Sequence, residues 1–221
     1  MQKLTSPFDL IKKAINIFAK KENIIFLVKI YVPVGVFSAI SLAQTFLPAS
    51  IRNSNSPWLF VGVGILQILY FLTSVFVTVS GIIALGKIVG GGELSAKKTF
   101  KSAWKNYWIF LLLSIVLTLI YLLGFVFLII PGILFVVWFA FSRFMAIEKG
   151  FRIKQSLLKS KELVKGMYWK ILGRLLVFGA FTFIVQMILS IAPYGVGSII
   201  SSLCGGLYLL PLYLLYKELS V

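Results

Sequence analysis

Six stretches of this chain are too long and too apolar for any water-exposed fold to accommodate: Asn23 to Phe46, Pro57 to Gly86, Tyr107 to Ile130, Gly132 to Ile147, Trp169 to Ile191 and Gly197 to Tyr216. The hydrocarbon core of a bilayer is about 30 Å thick and a helix rises about 1.5 Å per residue, so a crossing takes about 20 apolar residues. With no water at that depth, an open segment must satisfy its own backbone groups, and only the helix does so within one run. The composition agrees: of 221 residues, 60% are hydrophobic and 13% charged, more apolar surface than one soluble core can bury. The expectation is an all-α polytopic membrane protein with six spans in a single membrane domain.

The third and fourth spans form a nearly continuous run from Tyr107 to Ile147, divided by Pro131 and Gly132. Proline removes a backbone donor and glycine permits a sharp reversal, so the pair is expected to mark a tight hairpin near the outer face. The rival is one long kinked helix, which leaves about 60 Å of apolar helix to accommodate. The first span, interrupted by Lys29 and Pro33, is expected to stay as an anchor even though Ser41-Leu42-Ala43 resembles a cleavage site.

Net charge is +16, from 22 Lys and Arg against six acids. In a soluble protein this balance would suggest nucleic acid, but here the bases fall in three blocks between apolar runs: residues 1–22, 87–106 and 143–174. The other loops hold Arg52 alone. Basic loops stay inside, so both termini are expected in the cytoplasm of a bacterial cell, with the spans in its plasma membrane and anionic headgroups against the basic blocks. Histidine is absent and Cys204 is the single cysteine, so neither a disulfide within the chain nor the commonest general base is on offer, and no cofactor or metal is expected.

Each pair of spans is preceded by a basic amphipathic stretch, which divides the chain into units at 7–86, 95–147 and 152–217. In the first, Phe8, Ile11, Ile15 and Phe18 oppose Asp9, Lys12, Lys13, Asn16 and Lys20, with Ser6 and Pro7 as a helix start. In the second, Ala96, Phe100, Ala103 and Trp104 oppose Lys97, Lys98, Lys101 and Lys105. The third runs from Ile153 to Val164, where Ser160 interrupts the apolar side. All three are expected along the inner membrane surface, with Lys97, Lys98, Lys101 and Lys105 as contacts for lipid headgroups or a protein partner.

Other patterns are weaker. Gly81 to Lys87 fits part of a phosphate loop, but Ile88 stands where Ser or Thr is needed, and no strand precedes it. Gly197, Ser201, Gly205 and Ser198, Ser202, Gly206 make two small-residue stripes for close helix packing, within the chain or in a homo-oligomer. Gln67 and Gln186 lie deep in spans and need either a partner amide or a polar path, and Lys29 lies near enough to a span end to snorkel. Arg143, Glu148 and Arg174 are expected to gather at one interface, Glu148 pairing with Arg152 one turn on.

Pro131-Gly132-Ile133, Trp138, Phe139-Ala140-Phe141, Glu148, Ser160, Leu163, Gly166, Trp169 and Ile171-Leu172-Gly173 resemble the membrane-domain family attached to some bacterial glycerophosphoryl diester phosphodiesterases. The resemblance is close over about a quarter of the chain, from Ile130 to Leu176, and departs at Ser142-Arg143, where the family often has an apolar residue and proline. It implies the six-span layout, and no activity is expected from it, because the six acids and the lack of histidine do not supply the phosphodiesterase catalytic site. The expectation is a non-catalytic membrane module or accessory component, and the alternative is a transporter or channel subunit for a small molecule or lipid.

Overall fold

The computed structural model describes residues 4–45, 57–127, 129–192 and 196–220; the loop holding Arg52 and the turn holding Tyr194 lie outside them. The described residues form ten helices and no strand. They are α1 (Pro7–Phe18), α2 (Lys21–Thr45), α3 (Pro57–Gly90), α4 (Ala96–Phe127), α5 (Ile129–Trp138), α6 (Ser142–Glu148), α7 (Ile153–Val164), α8 (Tyr168–Ser190), α9 (Val196–Leu203) and α10 (Gly205–Leu219). Six segments are long and apolar enough to cross a membrane: α2, α3, α4, α5 with α6, α8, and α9 with α10. The protein is therefore an all-α, multi-pass membrane protein.

Four of the spans are continuous and two are broken. The fourth stops at Trp138 and resumes at Ser142, and the sixth is interrupted at Cys204. A hairpin joins the third and fourth spans, as α4 and α5 pack side by side. Pro131 and Gly132 are helical rather than a reversal: both sit in the first turn of α5, where the missing N–H costs nothing. The glycine has a different task. A Cβ on Gly132 would stand 2.6 Å from the Phe125 ring, and one on Gly124 would stand 3.0 Å from the Gly132 backbone, so the pair lets the two helices close together.

The three amphipathic stretches do not behave alike. The first is a separate helix, its end held by Asn23, which is buried and donates its side-chain N–H to the Ile17 carbonyl at 2.7 Å. The third is separate too, closed by Gly166 at φ +81°. The second is not: residues 96–105 are the opening turns of the 32-residue α4. No glycine or proline occurs between Ala96 and Leu123, so nothing turns the chain onto the membrane surface. By helical rise α3 and α4 are each about 50 Å long, more than the hydrocarbon thickness, and the excess of α4 coincides with its basic residues 97–105.

Helix α1 shows three sectors. Leu10 and Ala14 are buried against the bundle, Asp9, Lys12, Lys13 and Asn16 are exposed, and Phe8 and Ile15, which sequence periodicity places on one apolar face with Ile11 and Phe18, are exposed at 70% and 42%. The segment before α1 is tied to the start of the fifth span and the end of the sixth. Arg174 donates to the carbonyls of Leu4 at 3.0 Å and Thr5 at 2.7 Å, while the Thr5 amide and hydroxyl donate to Glu218 at 2.6 and 2.9 Å. Leu4 and Thr5 thus lie on the same side of the bundle as Glu218.

The small-residue stripes of the sixth span find their partners within the chain. The Ser202 hydroxyl lies 2.7 Å from that of Ser38 on α2, a Cβ on Gly206 would meet Leu27 at 3.0 Å, and one on Gly197 would collide with the Leu189 backbone. Gly205 faces the ring of Tyr31, and so does Gly81 of α3. A single buried tyrosine is therefore seated in a notch cut by two glycines, and it joins the first, second and sixth spans. The partial phosphate-loop pattern reads as packing: Gly81 admits Tyr31, and Gly86 lies opposite Tyr213 and Glu148. Gly205→Ala is expected to lower stability by about 1–3 kcal/mol by overpacking this notch. Unfolding in mixed detergent micelles measures it, with Gly179→Ala, where a Cβ meets nothing, expected to be neutral or slightly stabilising.

Candidate functional site

The chemistry-bearing side chains concentrate where α3, α6 and α10 meet. Glu148 ends α6 and directs both carboxylate oxygens at α10: the Tyr213 hydroxyl donates to one, and Lys217 Nζ donates to the other at 2.7 Å. Tyr213 and Lys217 are one helical turn apart on α10, so a single face holds both oxygens. The Glu148 side chain is 14% exposed and Lys217 41%, which makes this pair far less solvated than the two other ion pairs of the described residues. Its ring wall is aromatic. Phe144 stacks on Tyr216 at 5.3 Å and meets Tyr213 edge-on at 5.6 Å, and Lys217 lies 5.5 Å over the Tyr213 ring. Beside the carboxylate opens a crevice of about 340 Å³, lined by Gly86, Lys87 and Gly90 of α3 and Ile147 of α6.

The break before α6 is built by another residue, Ser160. A gap at 139–141 leaves backbone groups without helical partners, which in an apolar setting costs several kcal/mol each. Ser160 of α7, fully buried, donates to the Trp138 carbonyl at 2.7 Å and accepts from the Phe141 N–H at 3.2 Å. Lys161 then lies 4.2 Å over the Trp138 ring. The serine that interrupts the apolar face of this helix is the group that makes the break tolerable.

No protein-family model, no curated protein and no solved structure matches this chain. Function must be read from its own residues.

Arg143, Glu148 and Arg174 do not gather. Glu148 pairs with α10 rather than with Arg152, whose backbone N–H is 3.4 Å from Gln155 at the start of α7. Arg174 binds the N-terminal backbone, and Arg143 faces Phe110 on α4, its guanidinium carbon 5.9 Å from the ring centre. Gln67 and Gln186 are both exposed and far from this node: Gln67 stands on the open half of α3, and Gln186 lines a crevice of about 410 Å³ with Ser190, Ser198 and Ser201. Lys29 is exposed on α2. Of the α4 lysines, Lys98 is engaged by Glu93 at 2.5 Å, and this neighbouring ammonium holds the Glu93 carboxyl below its usual range. Lys97, Lys101 and Lys105 make no ion pair among the described residues.

Sequence reading missed Tyr213 and Lys217. Their four-residue spacing and the isolation of Lys217 at the end of the last span were visible, but nothing local links them to a carboxylate 65 and 69 positions earlier.

Two outcomes follow. Ser160→Ala is expected to cost about 1–3 kcal/mol by orphaning two backbone groups, measured by reversible unfolding in mixed micelles. A double-mutant cycle of Glu148→Gln and Lys217→Met is expected to give a coupling of about 1–3 kcal/mol; additive losses would mean that the pair contributes nothing as a pair.

Proposed function

We propose that this chain is a non-catalytic membrane module of the bacterial plasma membrane that presents a basic docking surface in the cytoplasm to an acidic protein partner. One observation carries the reading: residues 96–105 stand upright as the end of α4 instead of lying on the membrane. Lys97 is about 15 Å along the helix from Tyr107, where the aromatic belt begins, and the Debye length at physiological salt is about 8 Å. Lys97 and Lys101 are thus aimed past the headgroups, while Lys105 is within their reach. Charge balance supports the same conclusion. Three acid–base pairs occur among the described residues, which hold all of the 22 Lys and Arg except Lys3 and Arg52, so most of that positive charge is open to an outside partner.

Membrane contact falls to α1 on this reading. Its exposed Phe8 and Ile15 enter the interface, Lys12 and Lys13 face anionic headgroups, and Leu10 and Ala14 keep it on the bundle. The absence of catalysis is supported by the chain's lack of histidine and by its acids, of which Glu93, Glu148, Glu162 and Glu218 are held in hydrogen bonds. A relation to the membrane domains attached to glycerophosphoryl diester phosphodiesterases belongs to the same proposal. The residues that carry that resemblance include Ser160, Phe139-Ala140-Phe141, Trp138 and Glu148, which build the broken fourth span and its ion pair.

One feature favours a second reading. Two broken spans in one bundle are a common device of small-molecule transporters, where freed backbone groups hold the substrate. Here Ser160 takes up backbone groups at the break in the fourth span, which weighs toward the module.

Crosslinking and purification from native membranes tests the proposal, with wild type beside a variant carrying Gln at Lys97, Lys98, Lys101 and Lys105. The expected result is an acidic protein captured by wild type and lost in the variant, with Lys98→Gln alone changing little because that lysine is already paired. Equal capture by both proteins would sink the reading and make reconstituted flux the next assay. Orientation is checked by cysteines placed at Ser54 and Tyr194, expected to label from the outside only.

A further inference from the structure

Arg143 is the most exposed question the fold leaves. It opens α6 immediately after the break, and it makes no ion pair and no hydrogen bond among the described residues. Arginine does not shed its proton in proteins, so at this position its charge is held either by water at the interface or by an anion. The carboxylate nearest in sequence, Glu148, is turned to α10.

The guanidinium stands at the rim of a crevice of about 360 Å³ between α3 and α4, within the size range of ligand pockets. Polar and apolar groups alternate along it. Ser74 and Thr78 of α3 and Ser114 and Thr118 of α4 supply hydroxyls. Three of these donate to their own helix, Ser74 to Phe71, Thr78 to Ser74 and Thr118 to Ser114, which leaves oxygen lone pairs outward. Ser114 is buried at 9% and makes no such bond, so its hydroxyl is a free donor in the same crevice. Val75, Ile115 and Leu119 make the apolar wall. The depth is graded as well. Phe110, under the guanidinium, lies about 3 Å along α4 from Trp108 of the aromatic belt, and the crevice continues to Leu119, about 14 Å farther in.

A cation at one end of a slot with an apolar wall, most of whose hydroxyls are already bonded to their own helices, suits a phospholipid: a phosphate at the rim and a chain below. We infer that this crevice binds one phospholipid molecule, its phosphate on the guanidinium of Arg143 with Ser114 as a second donor and an acyl chain between α3 and α4. The planar, multi-donor guanidinium suits phosphate oxygens better than an ammonium would. The site is independent of the proposed docking surface, since no lysine of residues 96–105 lines it.

Native mass spectrometry of the full chain, released from micelles, tests the site with three probes: dioleoyl phosphatidylglycerol, dioleoylglycerol and inorganic phosphate. Wild type is expected to retain one phosphatidylglycerol per chain, with Arg143→Gln weakening retention about tenfold or more and Arg143→Lys falling between. Dioleoylglycerol should bind no better to wild type than to Arg143→Gln, and millimolar phosphate should leave the bound lipid in place. The variant with Gln at Lys97, Lys101 and Lys105 should retain the lipid as wild type does. Unchanged retention by Arg143→Gln overturns the inference. So does dioleoylglycerol binding as well as phosphatidylglycerol, or phosphate binding alone and displacing the lipid, which would make this a free-anion site. Should Arg143→Gln fail to fold, Ser114→Leu, which fills the slot and keeps the arginine, carries the same expectation, and retention there overturns it equally.

Discussion

Backbone hydrogen bonding in the absence of water is the constraint on which this architecture rests. Hydrocarbon offers no partner for a stray N–H or carbonyl, so each crossing must be helical and each interruption must be answered by protein. Two crossings are nevertheless interrupted. At 139–141 the answer is specific: the Ser160 hydroxyl, carried on a helix packed alongside, takes one carbonyl and gives to one N–H. That arrangement in turn requires α7 to lie against the fourth span, and it explains why a polar residue occupies the buried face of an otherwise amphipathic helix.

A second dependence runs through side-chain volume. The first, second and sixth spans approach one another because Gly81 and Gly205 leave room for the Tyr31 ring, and farther along the same helices Gly86 leaves room beside Tyr213 and Glu148. Hydrophobic transfer supplies no force between helices already in lipid, so close packing and interhelical hydrogen bonds have to hold the bundle. The Glu148–Lys217 pair with its tyrosine donor is the polar part of that contact, and the rings of Phe144, Tyr213 and Tyr216 are the apolar part.

The spans were legible in the sequence because length and apolarity are local properties, and the hairpin was legible because 41 residues of helix cannot be housed in one crossing. The breaks were not. Phe139-Ala140-Phe141 has neither glycine nor proline, and the groups that stabilise it come from a segment about 20 residues later. The basic stretch at 96–105 has the periodicity of a surface helix, but periodicity says nothing about whether a helix bends, and the missing breaker decided the matter. Charge pairing was the least legible: Glu148 has Arg152 one turn away and pairs instead with a lysine 69 positions on, because α10 brings it a face with a tyrosine already in place. Arg143 was visible as an ionisable group in an apolar run, whereas its crevice is assembled from three helices and has no signature in any one of them.

The α3–α4 hairpin is a stiff beam. Each helix is about 50 Å long, roughly 20 Å more than the hydrocarbon it crosses, and α4 has no hinge residue before Gly124. Long spans meet a thinner bilayer by tilting. A tilt of about 10° carried along about 50 Å moves the free end sideways by about 9 Å. The lateral position of the lysines of 96–105 beside the bundle is therefore coupled to bilayer thickness around the distant half of the same two helices, which makes lipid composition a mechanical input to the charged tip.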